Sequence, residues 1–221
     1  MVRLPLRGQW AILTAGLLLV VPVTLQASTA EAPPETVYAW LQREHEFLRR
    51  YLAIVRQAAH DYAYGYQTPT LLIPVTMDLF TGYVVTLHDA EEQALYPALR
   101  VHMTAEQQQG LRLVEEDQKE ESGTVKQWER ELQQYAEGHT SLSEVGETID
   151  YLARMINRHL VLQEERVLPF LNALSPSEQK ELLARLDTLM RRELGARGRT
   201  PYERWLAYLE GQIKAVATRV W

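Results

Sequence analysis

The chain has no cysteine. That excludes thiolate metal sites, disulfides and a lipid anchor on a lipobox thiol, and it suits an oxidising compartment. A glycine-rich phosphate loop is absent, and no Ser-His-Asp arrangement carries a recognisable local signature. Positive charge is in deficit: 23 Lys and Arg face 29 Asp and Glu, for a net charge of −6 and a pI near 5.6. A nucleic-acid footprint is therefore not expected. The apolar run Trp10 to Val23 is only 14 residues long. As helix it spans roughly 21 Å, short of a hydrocarbon core of ~30 Å.

That run instead completes an export signal. Arg3 and Arg7 form a positive start, Pro22 breaks the apolar stretch, and Ser28-Thr29-Ala30 offers small residues for cleavage before Glu31. Residues 1–30 are read as a cleaved signal peptide, which places the mature protein in the periplasm or otherwise outside the cytoplasm. Cleavage removes two arginines and no acids, taking the net charge from −6 to −8. The remainder has the composition of a soluble globule, long enough for one core and an appendage.

The chemistry-bearing pattern occurs twice. His88-Asp89-Ala90-Glu91-Glu92, then an apolar turn and Pro97, is echoed by His159, Glu164-Glu165, an apolar turn and Pro169. His45 precedes His88 by 43 positions, and Glu116 precedes His159 by the same interval. Two helical hairpins are implied, each bringing a ligand-type residue beside a histidine and an acid.

Helical periodicity supports this. Val37, Leu41, Leu48, Leu52, Val55 and Ala59 share one face of a first helix over 35–64, with Glu44 and His45 near that face. A second helix over 75–102 turns Val84, His88, Glu91 or Glu92, Leu95 and Leu99 inward. His88 and Glu92, four apart, converge on one point. A third, opened by the capping box Thr104-Ala105-Glu106-Gln107, runs to about 135. Here two signals diverge: the repeat interval selects Glu116, whereas the stripe of Val114, Val125, Trp128 and Leu132 places Gln118 and Glu121 inside and Asp117 at the edge. The fourth begins at Ser141-Leu142-Ser143-Glu144 and lines up Ile149, Leu152, Ile156, His159, Gln163, Val167 and Phe170. Pro169 removes an amide from its end, a distortion that would bring Glu164 inward. His60 and His139 read as surface residues, and His102 as a capped rim residue too far from His88 to share its site.

The expected fold is an all-α, up-down antiparallel four-helix bundle with additional C-terminal helices. Residues 31–195 comprise the bundle and one following helix, which opens at Ser175-Pro176-Ser177-Glu178. Residues 196–221 form a linker and a terminal amphipathic helix carrying Trp205, Leu209, Ile213, Val216 and Val220. That stripe is expected to pack on the bundle, with membrane or protein contact as the alternative. Counting 1.5 Å per residue along antiparallel helices places His45, His88, Glu116 to Glu121 and His159 in one layer, roughly 15–24 Å from one end. No Lys or Arg is expected in that layer, so a cation is expected to satisfy its acids and imidazoles. Imidazole and carboxylate without sulfur suit iron, manganese or zinc.

The HxxxE spacing and the acid-acid-x-x-apolar-aromatic-Pro run from His88 to Pro97 resemble the hemerythrin-like, HHE cation-binding family, over about residues 36–193. The resemblance implies a four-helix bundle holding two non-haem irons. It matches His45 to the first-helix ligand, His88 with Glu92 to the HxxxE pair, and His159 to the fourth-helix ligand, with Gln163 or Glu164 as the latter's partner. The third helix departs from the family pattern. Its usual histidines are replaced by Glu115-Glu116-Asp117, with Glu120 and Glu121 a turn later, and Leu87 stands where a leading His is common. Either carboxylates substitute and give an oxygen-rich centre, or a single ion remains on His45, His88, Glu92 and His159.

The function expected on this basis is binding of one or two iron ions, with manganese as the alternative, in sensing or handling oxygen, nitric oxide or iron. A small diatomic ligand is the implied partner. Enzymatic activity is not expected, and only the acidic third helix speaks for a di-iron oxidase. The reading from a different class is a metal-free bundle serving as a binding or structural module.

Overall fold

The computed structural model describes residues 36–63, 77–195 and 198–217, apart from the side chains at 58, 61–63, 136 and 212–217. The export signal read at 1–30 lies outside these residues. Among the described residues six helices follow one another: α1 (Val37–Ala63), α2 (77–100), α3 (Ala105–Ala136), α4 (Leu142–Arg166), α5 (Pro176–Leu194) and α6 (Thr200–Ala217), with a 3-10 turn at Leu168–Ala173 before α5. No strand occurs among the described residues, and no helix there is long and apolar enough to cross a membrane.

Helices α1 to α4 form the bundle. Side-chain bonds fix their directions: Arg49 reaches Glu164 while Arg56 reaches Asp150, so α1 and α4 run antiparallel. Likewise Asp117 meets Arg158 and Glu131 meets Thr148, which makes α3 antiparallel to α4. Between them lie the apolar stripes read from the sequence. Val37, Leu41, Leu48, Leu52, Val55 and Ala59 of α1 are all buried, as are Val114, Val125, Trp128 and Leu132 of α3. Phe80 meets Trp128 edge-on at 5.5 Å, joining α2 to α3. The three capping boxes form as expected, at Thr104 with Gln107, Ser141 with Glu144 and Ser175 with Glu178.

Helix α2 is not a uniform α-helix. Two π-helical segments, Leu79–Val84 and Glu91–Leu95, interrupt it. The second precedes Pro97, which has no N–H to offer the carbonyl of Gln93. Arg185 of α5 supplies the missing donor, 2.6 Å from that oxygen. Replacing Arg185 by methionine is therefore expected to cost about 1–2 kcal/mol in urea unfolding, since a charged donor is lost from a backbone acceptor.

The terminal helix α6 docks on the bundle through its first turns. Leu206 and Leu209 are buried, and the Tyr202 ring lies 5.1 Å from that of Tyr83. The Tyr202 hydroxyl sits 2.7 Å from where a Cβ at residue 82 would stand, so any larger residue there would have to push that ring aside. Arg50 of α1 holds Glu210 by two bonds of 3.0 and 2.9 Å. One expectation is corrected: Trp205 faces outward and meets Tyr208 edge-on, because Tyr202, Leu206 and Leu209 make the packed stripe. The side chains of Ile213, Val216 and Val220 lie outside the described residues.

Candidate metal centre

Each bundle helix buries polar groups at one level: Glu44 and His45 from α1, His88 and Glu91 from α2, Gln118 and Glu121 from α3, His159 and Gln163 from α4. The His88 and His159 rings lie 4.9 Å apart. Ligand-type atoms of His88, Glu91 and His159 fall within 4.8 Å of one another, and so do those of Asp117, Glu121 and His159.

This centre holds an excess of bare acceptors. Glu91 Oε1, Gln118 Oε1, both oxygens of Glu121 and His159 Nε2 are buried without a hydrogen-bond partner. Each such atom costs about 1–3 kcal/mol if left bare, and more when charged. Among the described residues neither Glu91 nor Glu121 pairs with Lys or Arg. His88 Nε2 approaches Glu121 Oε2 at 3.5 Å, too far for a hydrogen bond. Nor is that approach an ion pair, because burial and the neighbouring His159 hold the His88 imidazole well below its ordinary pKa. Burial pushes Glu91 up to about 8, against the hydrogen bonds it accepts from Gln163, Tyr96 and Gln118. Glu121 is raised well above the carboxylate range by burial, then by the charges of Asp117 and Glu91. A divalent cation reverses this balance: two carboxylates and two neutral imidazoles match its charge and engage the bare atoms. The residues present thus fit a metal ion.

His159 is aimed by its other nitrogen. Nδ1 lies 3.1 Å from Asp117 Oδ2, and Arg158 bonds the same carboxylate at 2.6 Å. Burial raises the Asp117 pKa, but the hydrogen bond from His159, with Arg158, outweighs it and leaves the carboxyl below its usual range. An ionised carboxylate there fixes Nδ1 as donor and turns the Nε2 lone pair into the centre.

Of the residues singled out from the sequence, His88, Glu121 and His159 meet at this centre. Three acids do not. Glu92 is exposed and Glu91 points in, because the α-helical four-residue spacing from His88 runs into the π-helical turn at Glu91–Leu95. Glu116 is exposed, as the stripe of α3 required and the repeat interval did not. Glu164 is about one-third exposed and holds Arg49 by two bonds of 2.8 and 2.7 Å. His45 is fully buried in the layer, yet both ring nitrogens are engaged: Nε2 lies 2.6 Å from Gln163 Oε1 and Nδ1 3.0 Å from Glu164 Oε1. The expectation that no Arg reaches the layer is also corrected. Arg49, Arg158 and Arg199 neutralise Glu164, Asp117 and Glu44 from its margins.

Sequence reasoning missed Tyr96. Its hydroxyl accepts from Gln118 at 2.7 Å and from Gln163 at 2.9 Å, and donates to Glu91 Oε2 at 3.2 Å. Tyr96 lies eight residues past His88, on the same helical face, and a buried phenol must find partners. That spacing was the available signal.

A family model described as the hemerythrin HHE cation binding domain matches residues 36–171, from the start of α1 into the 3-10 turn after α4. Helices α5 and α6 lie beyond the match. No curated protein and no solved structure matches the chain.

Proposed function

The chain belongs to the hemerythrin HHE cation-binding domain family, and on that premise we propose that it is an exported protein whose bundle holds non-haem iron on His88, Glu91, Glu121 and His159. Its role on this reading is to sense or handle oxygen, nitric oxide or iron. The supporting observation is the cluster of buried, partnerless acceptors: Glu91 Oε1, both oxygens of Glu121 and His159 Nε2. Two imidazoles with two carboxylates form the donor set that suits divalent iron, with manganese as the alternative. A redox-active ion there would supply coordination positions for a small diatomic ligand.

The protein's own groups have distinct tasks. His88 and His159 offer nitrogen lone pairs, and Asp117 orients the second ring. Glu91 and Glu121 supply charge. Tyr96 and Gln118 hold one oxygen of Glu91 and leave the other for the ion. Leu87, Leu95 and Leu99 of α2 are buried as well. Export rests on Arg3, Arg7 and the apolar run that follows, and predicts a mature protein beginning at Glu31.

Metal analysis of protein purified without chelator tests the reading, with absorption spectra before and after exposure of the ferrous protein to air or nitric oxide. At least one iron per chain and a spectral change on exposure are expected. Protein that takes up no metal after anaerobic iron addition would instead be a metal-free binding module.

A further inference from the structure

The polar layer has two halves that differ in kind. On one side Glu91 Oε1, both oxygens of Glu121 and His159 Nε2 are bare. Around His45 every atom is engaged. Its two nitrogens face Gln163 and Glu164, Glu164 is clasped by the Arg49 guanidinium, and Gln163 continues through its amide nitrogen to Tyr96. Neither His45, Gln163, Glu164 nor Tyr96 has a buried polar atom without a partner.

We infer that the layer holds one cation only, and that the half built on His45 is closed to a second by Arg49 and Gln163. The inference rests on the cation-binding reading above and adds its stoichiometry and the roles of three residues. Lone pairs come first. As placed, Nε2 and Nδ1 of His45 both face oxygens, of Gln163 and Glu164, so the ring satisfies them by donating at each nitrogen and then has no lone pair to offer. Charge comes next. Among the described residues the carboxylate bonded to His45 is Glu164, and a two-pronged guanidinium already neutralises it. A second dication would have to dislodge Arg49 from Glu164 and would find a neutral carboxamide at residue 163. His45 then acts as a positioning residue. It fixes Gln163, which with Gln118 sets the Tyr96 hydroxyl against Glu91.

Anaerobic titration of the full mature chain with ferrous iron, read by metal analysis and by X-ray absorption at the iron edge, tests this. Wild-type protein is expected to take one equivalent, with two imidazoles around the iron and no iron–iron scattering. His45→Gln is expected to keep one equivalent with two imidazoles on the iron and affinity lowered roughly 10–100-fold, as for loss of an outer partner, whereas His88→Ala and His159→Ala lose it. The double substitution Arg49→Met with Gln163→Glu frees Glu164 and adds a carboxylate, and is expected to admit a second equivalent. Two equivalents in the wild type, three imidazoles on its iron, or loss of iron on His45→Gln would overturn the inference and leave the cation-binding reading intact. A double variant that stays at one equivalent would remove Arg49 and Gln163 as the closing groups. Zero equivalents in the wild type would overturn both readings. Should His45→Gln fail to fold, the imidazole count in the wild type decides.

Discussion

Glu121→Gln is expected to cost the protein its metal while leaving the metal-free fold at least as stable. The two effects have opposite signs because one group causes both. Glu121 is buried, lacks a hydrogen-bond partner at either oxygen, and carries a pKa raised by burial and by the charges of Asp117 and Glu91. Without a cation its ionised form opposes folding. A carboxyl whose folded pKa lies above its unfolded value contributes stability that is full below the unfolded value and is lost as pH rises through the folded one. For Glu91 that window runs from 4.5 to about 8. Metal-free wild-type protein should therefore weaken across that range, and glutamine at 121, which cannot ionise, should flatten part of the loss. With metal present the sign reverses. The ion binds the deprotonated carboxylates, displaces their protons and becomes tighter as pH rises. Losing one of four donors should reduce affinity by more than the roughly 10–100-fold cost of an outer partner. Thermal scans with chelator and with ferrous iron, between pH 5 and pH 8, read both arms. The metal-dependent gain in stability, about 2.7 kcal/mol at one hundred times the dissociation constant, should vanish in the variant. An unaltered gain would show that Glu121 is not a ligand.

The fold was legible because its determinants are local. Apolar stripes at helical spacing and three capping boxes mark where α1, α3, α4 and α5 run, and the coordinates bury the same faces. Within the site, local periodicity also outperformed the repeat interval. The stripe of α3 turned Gln118 and Glu121 inward, while equal intervals between hairpins favoured Glu116, which is exposed. An interval counts residues without regard to rotation, so a small difference in hairpin register turns the counterpart to another face. Glu91 in place of Glu92 has a different origin. Extrapolating an α-helical period assumes an unbroken helix, and the chain before Pro97 takes a π-helical turn with Arg185 closing the freed carbonyl.

The arginines were the least legible part. Arg158 neighbours His159 in sequence and Arg49 follows His45 by four, but each reaches its acid by extending along the helix surface from a partly exposed position. Long side chains of this kind are assigned to solvent by periodicity. Arg199 was further out of reach, 155 residues from its partner Glu44 and beyond the family match. What distinguishes the bare half of the layer from the satisfied half is therefore a tertiary property. Only packed helices show which acids have already found a guanidinium.

Arg199→Met carries the largest expected loss of stability, about 3–5 kcal/mol, the cost of breaking a buried ion pair from one side. The guanidinium lies just before α6, 3.1 Å from Glu44 Oε1 and 5.4 Å over the Phe47 ring. Glu44 is buried, its other oxygen accepts from the Tyr83 hydroxyl, and Arg43 approaches no closer than 3.7 Å. Burial raises the Glu44 pKa, while Arg199, Tyr83 and Arg43 oppose that rise. With Arg199 gone the main opposing charge is gone, and the folded pKa climbs further. The deficit then depends on pH with a defined sign. At low pH Glu44 is protonated in both folded and unfolded chains, so the variant should approach the wild type. As pH rises from the ordinary glutamate value of 4.5 through the raised folded value, the bare carboxylate must either hold a proton or stand charged in the core, and the gap should open. Urea unfolding at pH 4.5 and at pH 8 measures the gap. Adding Glu44→Gln should close most of it at pH 8, because removing both charges spares the core the unpaired one. A gap that ignores pH, or that Glu44→Gln does not narrow, would locate the role of Arg199 in its stacking on Phe47.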